Sequence, residues 1–200
     1  MRHGTPIDEA GVRAVVERVV GRVLEASGAS EPAPSSGPEP DRPSSGDART
    51  IAVGADHGGY RLKERLAFRL REAGWTVTDC GTDSTESVDY PVFARAVAEE
   101  VAAGRARCGI VVDGAGIGSS MVANKVPGVR AALCYDLSTA RNSREHNHAN
   151  VLTLGAGLIG EGLAWQIVEA WLDTPWGDGR HARRAAMIMD VERDYLGTDG

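Results

Sequence analysis

From Thr50 onward the sequence predicts an α/β fold: an open parallel five-stranded sheet flanked by helices, a Rossmann-like three-layer sandwich with a C-terminal helix. Two observations predict it. Short apolar runs of strand character alternate with longer segments of helical periodicity. A glycine-rich turn, 113–120, leaves one such run and opens a helix. The strands read as 51–55, 75–80, 109–112, 130–134 and 151–154, and the helices between them as 60–73, 91–103, 118–124, 137–145 and 159–172. The repeating order implies right-handed crossovers with helices on both faces of the sheet. A last helix, 181–195, has no strand after it and is expected to pack on a neighbouring subunit.

Ahead of this domain, 50–196, two segments differ in composition. In 6–26 the residues Val12, Val15, Val16, Val19, Val20, Val23 and Leu24 recur at three- and four-residue intervals, the pattern of an amphipathic helix. Asp8 and Glu9 suit its first turn, where the helix dipole favours negative charge. Valine lowers helix propensity, so such a helix is marginal alone and needs a surface to lie on. Residues 27–49 are mostly Ser, Pro, Gly, Ala, Glu and Asp with no large apolar side chain, too little burial to offset chain entropy, and read as a disordered linker. The expected organisation is a helical tag in 1–26, a linker in 27–49 and the domain in 50–196, with the helix folded back on its own domain as the alternative.

The chain of 200 residues is long enough for one domain and an appendage. A formal net charge of −6 argues against nucleic-acid binding and leaves small anionic ligands open. Cys80, Cys108 and Cys134 are odd in number, lack metal-ligand spacing and fall in apolar runs, which suits buried thiols in a reducing cytoplasm. No run of about 18 apolar residues exists, so no membrane span is expected. Asp8, Glu9, Arg13, Glu17, Arg18 and Arg22 interrupt any signal-peptide core, which places the chain in the cytoplasm. Trp165, Trp171 and Trp176 read as packing residues rather than a platform for bases.

In open α/β sheets ligands sit at the carboxyl ends of the strands. Those positions hold Asp56 and His57, then 81–89, then 113–119, then Tyr135 and Asp136, then 155–157. The loop Asp113-Gly114-Ala115-Gly116-Ile117-Gly118-Ser119-Ser120 fits dinucleotide, phosphate and purely structural turns alike. It lacks the nicotinamide spacing, the acidic residue that would follow for a ribose, and a Walker lysine.

Specificity comes from the set in which the loop occurs: Gly54-Ala55-Asp56-His57-Gly58-Gly59-Tyr60, Asp89-Tyr90-Pro91, the glycine loop ending in Ala123-Asn124-Lys125, Arg144-Glu145-His146-Asn147, and Gly179-Arg180-His181. In that order and spacing, residues 50–190 resemble the ribose-5-phosphate isomerase B family, which includes the galactose-6-phosphate isomerase subunits. The resemblance implies aldose–ketose isomerisation of a phosphosugar through a cis-enediolate, with no metal and no organic cofactor. It implies His146 as the ring-opening acid/base and Arg180 and Arg184 as phosphate ligands. Asp56, His57, Tyr90, Gly114, Ala115, Gly116, Gly118, Ser119, Asn124, Lys125 and Asn147 fall on the substrate side. It also implies a homodimer or dimer of dimers with active sites between subunits. The extension resembles the encapsulation peptides of bacterial microcompartments, which implies shell proteins as partners of residues 6–26.

Three departures from the family pattern involve four positions. Asp113 stands where some members carry a cysteine base, and Ser119 where others carry a glutamate. A partly buried carboxylate can abstract a proton beside a carbonyl, so Asp113 is the expected base. Ala115 replaces a hydroxyl residue, and Gly157 stands where an arginine is frequent. Beside these functional readings stand plainer ones: Asp56 as a helix cap, Asn124 and Asn147 as loop ties, and Arg180, Arg183 and Arg184 as a solvated helix face. A catalytically silent phosphosugar-binding or scaffold protein is the alternative to an enzyme.

Overall fold

The computed structural model describes Glu17, which is helical, and residues 49–197. The expected tag and linker therefore lie outside the described residues, apart from Glu17 and Arg49. Five strands, β1 (Thr50–Ala55), β2 (Thr76–Asp79), β3 (Cys108–Asp113), β4 (Ala131–Leu133) and β5 (Val151–Gly155), form one all-parallel sheet in the order β2-β1-β3-β5-β4. Within residues 49–197 six helices accompany them: α1 (Tyr60–Glu72), α2 (Tyr90–Ala102), α3 (Ile117–Ala123), α4 (Leu137–Asn147), α5 (Glu161–Asp173) and α6 (Arg180–Leu196). The three-layer fold read from the sequence is the one observed. Element ends move by one or two residues, because caps rather than periodicity decide them.

The central strands β1, β3 and β5 are buried at nearly every position, as expected of a parallel sheet covered on both faces. Alternation along each strand divides the core in two. Ile51, Val53, Ile110, Leu152 and Leu154 face Leu62, Leu66 and Leu70 of α1 and Ile167, Val168 and Trp171 of α5. Ala52, Val111 and Val151 face Ala94, Val97 and Ala98 of α2 and Ala123 of α3. The second layer is built of smaller side chains.

Pro91 sits in the first turn of α2, where its missing N–H costs nothing. Asp136 caps α4 by accepting a hydrogen bond from the Thr139 N–H at 2.8 Å. That helix ends on His148, a non-glycine residue at φ 54°, whose N–H reaches the Arg144 carbonyl at 3.1 Å. The last helix, α6, packs against α4 of its own chain, burying Ala185 and leaving Met187, Ile188, Val191 and Tyr195 exposed. No helix among the described residues is long and apolar enough to cross a membrane.

Candidate active site

Neighbouring strands β1 and β3 send their chains in opposite directions, β1 into α1 on one face and β3 into α3 on the other. The two loops diverge and leave a crevice at the carboxyl edge of the sheet, the switch point of the fold. Gly59 lies so close to the Val112 carbonyl that no Cβ fits there, which draws the β1 loop against β3. The Gly59 N–H donates to Asp56 Oδ1 at 3.0 Å, so Asp56, 8% exposed, does fasten its own turn.

His57 Nδ1 lies 3.1 Å from the carbonyl oxygen and 3.2 Å from the amide nitrogen of Val88, tying down the loop after β2. The start of that loop is held by Lys63. Its buried ammonium donates to Asp79 Oδ2 at 2.7 Å and to the Thr82 carbonyl at 3.0 Å. Nothing in the helical pattern of 60–73 singles out this lysine, since a buried charge looks like a surface one until its partner on another element is known.

Asp113 ends β3 with its side chain buried, 5% exposed. Its Oδ1 accepts from the Ala115 N–H at 2.7 Å and from the Gly116 N–H. Its Oδ2 accepts from the Ser119 N–H at 3.1 Å and from the Ser119 hydroxyl. The glycine loop is thus wrapped around one carboxylate. Gly116 takes φ 77°, a left-handed conformation that brings its N–H round to Asp113.

Three further contacts hold the loop from outside: Ala156 N–H to the Asp113 carbonyl at 2.8 Å, Gly157 N–H to the Gly114 carbonyl at 2.9 Å, and the Tyr135 hydroxyl to the Ala115 carbonyl at 2.5 Å. A Cβ on Gly157 would stand 2.9 Å from the Gly114 oxygen, so an arginine there would displace the loop. Tyr90, 39% exposed, lays its ring over Gly118. The role of Tyr135 was not legible as such. Its place after a strand marks it for the ligand edge, but its hydrogen bond to the Ala115 carbonyl depends on the loop it meets being in place.

The remaining predicted residues gather elsewhere. Helix α4 runs back along the sheet, so His146 and Asn147 at its end lie by the amino end of β5. There the His146 ring stacks on His181 of α6, centroids 4.1 Å apart, and His146 Nδ1 is 3.0 Å from Asn142 Nδ2. Desolvation holds His181 below the usual imidazole range, with His146 and Arg180 adding to the effect. Arg180 and Arg184 are exposed on the first turns of α6, and Asn147 is exposed beside them.

A cation–aromatic stack sets the start of α6. The Arg144 guanidinium lies 4.6 Å from the Trp171 ring centre and 5.5 Å from that of Trp176, and His148 stacks on Trp176 with ring centroids 4.8 Å apart. Arg144 also donates to the Ala149 carbonyl at 2.5 Å, and burial pushes its guanidinium down to about 10. The expectation that Trp171 and Trp176 are packing residues fits this arrangement.

Within one chain, then, Asp56, His57, Tyr90, Asp113, Gly114, Ala115, Gly116, Gly118 and Ser119 share the carboxyl edge. His146, Asn147, Arg180 and Arg184 form a second group at the amino edge. β5 alone, 5 residues long, puts roughly 15 Å between those edges at about 3.3 Å per residue. Asn124 and Lys125, at the end of α3, are also at the amino edge. Asn124 accepts from the Ala131 N–H at 2.8 Å and donates to the Ala131 carbonyl at 2.9 Å, which matches the plainer loop-tie reading of that residue.

The open parallel sheet, the switch-point crevice with two buried carboxylates and a separate cluster of imidazoles and guanidiniums define a doubly wound α/β protein equipped for a small anionic substrate. The family model that matches residues 51–188 is described as ribose/galactose isomerase. The ribose-5-phosphate isomerase B of Escherichia coli (strain K12) is 43% identical over 145 residues, covering 72% of this chain and 97% of that protein. The solved structure of Clostridium thermocellum ribose-5-phosphate isomerase B superposes with a TM-score of 0.72 at 49% identity, over 73% of this chain and 99% of that one. A ribose-5-phosphate isomerase B from Mycoplasma genitalium, solved with bound ribulose 5-phosphate, gives 0.70 at 35% identity, over 72% and 97%. The chain belongs to the ribose/galactose isomerase family.

Proposed function

We propose that the protein is an aldose–ketose isomerase interconverting ribose 5-phosphate and ribulose 5-phosphate, or a close phosphosugar, through a cis-enediolate. The observation that carries this is the division of labour between the two edges. Buried carboxylates beside a glycine loop suit proton transfer between adjacent carbons, while an imidazole beside two guanidiniums suits ring opening and a phosphate. The relatives named for ribose-5-phosphate isomerase support the choice of sugar.

Because roughly 15 Å of sheet separates the two groups in one chain, the complete site joins the carboxyl edge of one chain to the amino edge of another. Two exposed apolar surfaces fit such a pairing: Ile117 and Met121 beside the crevice, and Met187, Ile188 and Val191 on α6. A two-fold dimer places two identical sites at one interface. In each site His146 opens the ring, Arg180 and Arg184 hold the phosphate, and a carboxylate of the crevice, Asp56 or Asp113, moves the carbon-bound proton.

Purified protein is expected to convert ribose 5-phosphate to ribulose 5-phosphate, read by ketose formation. Absence of turnover, with ribose 5-phosphate still raising the melting temperature, would instead mark a silent phosphosugar-binding protein or a different phosphosugar substrate. The amphipathic pattern of 6–26 on a Pro/Ser/Gly-rich segment supports a cellular role as microcompartment cargo. Deleting residues 1–48 is then expected to preserve turnover and abolish co-purification with shell proteins; co-purification undiminished by the deletion would refute the cargo role.

A further inference from the structure

The geometry points to Asp56 as the group that moves the carbon-bound proton, with Asp113 as the residue that positions the glycine loop; this rests on the isomerase reading above. An ionised carboxylate offers about four lone-pair positions. At Asp113 the loop itself fills them. Ala115 N–H and Gly116 N–H occupy Oδ1, and Ser119 N–H and Ser119 hydroxyl occupy Oδ2. To take a proton from carbon, Asp113 would have to release one of these donors inside a buried turn, leaving it unpaired. The same contacts engage three loop amides, so Ala115, Gly116 and Ser119 do not offer their N–H groups to an enediolate.

Across the crevice the second buried carboxylate is differently placed. Asp56 Oδ1 accepts one hydrogen bond, from Gly59, and Oδ2 accepts none from the described residues. The two loops approach closely: a Cβ added at Gly58 would lie 3.3 Å from Asp56 Oδ1 and 3.5 Å from the Gly114 nitrogen. Asp56 therefore borders the space in front of the glycine loop with an unengaged oxygen. His57, its neighbour, is already committed through Nδ1 to Val88.

The proton balance follows directly. In the open-chain aldose, Asp56 takes the proton from C2; the C2–H electron pair becomes the C1–C2 double bond and the carbonyl pair moves onto O1. The O2 proton passes to O1, the C2–O2 double bond forms, and the carboxylic acid returns its proton to C1. No oxidant, reductant or metal enters.

The test compares Asp56→Asn, Asp56→Ala and Asp113→Asn with wild type, reading kcat, melting temperature, and incorporation of solvent deuterium into recovered substrate at C2. Asp56→Asn is expected to lose on the order of 10²–10⁴ in kcat, as removal of a general base does, with C2 exchange lost and melting unchanged. Added acetate should restore part of the Asp56→Ala rate. Asp113→Asn turns an NH₂ toward the loop donors, so it should lower the melting temperature while retaining C2 exchange. The assignment is overturned if Asp56→Asn exchanges C2 at the wild-type rate, or if Asp113→Asn loses exchange with unchanged melting. Should Asp113→Asn not fold, acetate decides: rescue of Asp56→Ala supports the assignment, and no rescue of a variant that melts like wild type overturns it. A wild type without turnover removes the isomerase reading itself, and this assignment with it, whereas a turning-over wild type leaves the variants to judge Asp56 alone.

Discussion

A heterodimer assembled from one Asp56→Asn chain and one His146→Ala chain should recover roughly half of wild-type activity, although each variant alone is nearly inactive. The expectation comes from the sheet. Asp56 stands at the carboxyl end of β1, and His146 stands by the amino end of β5. If a site takes its crevice from one chain and its imidazole from the other, the mixed dimer has one doubly damaged site and one untouched site. If both residues served a site within one chain, both sites of the mixed dimer would carry a lesion and the activity would stay near zero. Co-expression with two different tags, purification through both, and the ribose 5-phosphate assay distinguish the outcomes. Each homodimeric variant should fall by about 10²–10⁴-fold, the usual worth of a positioned acid or base.

This division was only half legible in the chain. Strand periodicity and the rule that ligands sit at carboxyl ends led straight to Asp56, His57 and the 113–119 loop, because those residues directly follow apolar runs. The order of motifs led to His146, Arg180 and Arg184. Neither source says that the two groups lie at opposite edges, since that depends on α4 running back beneath the sheet before β5 begins. The state of Asp113 was hidden for a related reason. A carboxylate beside glycines reads equally as a base or as a turn fastener, and only the left-handed Gly116 and the position of Ser119 show how many donors converge on it. The buried roles of Lys63 and Arg144 were not legible because charged residues in helical patterns are assigned to water by default, whereas here one is buried on Asp79 and the other lies against Trp171 and Trp176.

The double substitution Arg180→Gln, Arg184→Gln should lower kcat/KM for ribose 5-phosphate by about 10²–10⁴-fold while leaving the melting temperature unchanged. Both side chains are exposed at the start of α6, one helical turn apart on a shared face, and the buried residue of that helix is Ala185. Neither arginine contributes to the core, so their loss has little to destabilise. A charge-assisted hydrogen bond is worth about 1.5–3 kcal/mol, so two lost together amount to about 3–6 kcal/mol of substrate binding. At about 1.4 kcal/mol per tenfold, that gives the stated range. Lysine at both positions should recover only part of the loss, because a guanidinium fork meets two phosphate oxygens where an ammonium meets one. Inorganic phosphate should inhibit the wild type competitively and the double variant hardly at all, which separates loss of a phosphate site from a general defect. Wild-type KM in the double variant would leave Arg180 and Arg184 as a solvated helix face, and the anion would then have to be held by groups of the crevice loops themselves.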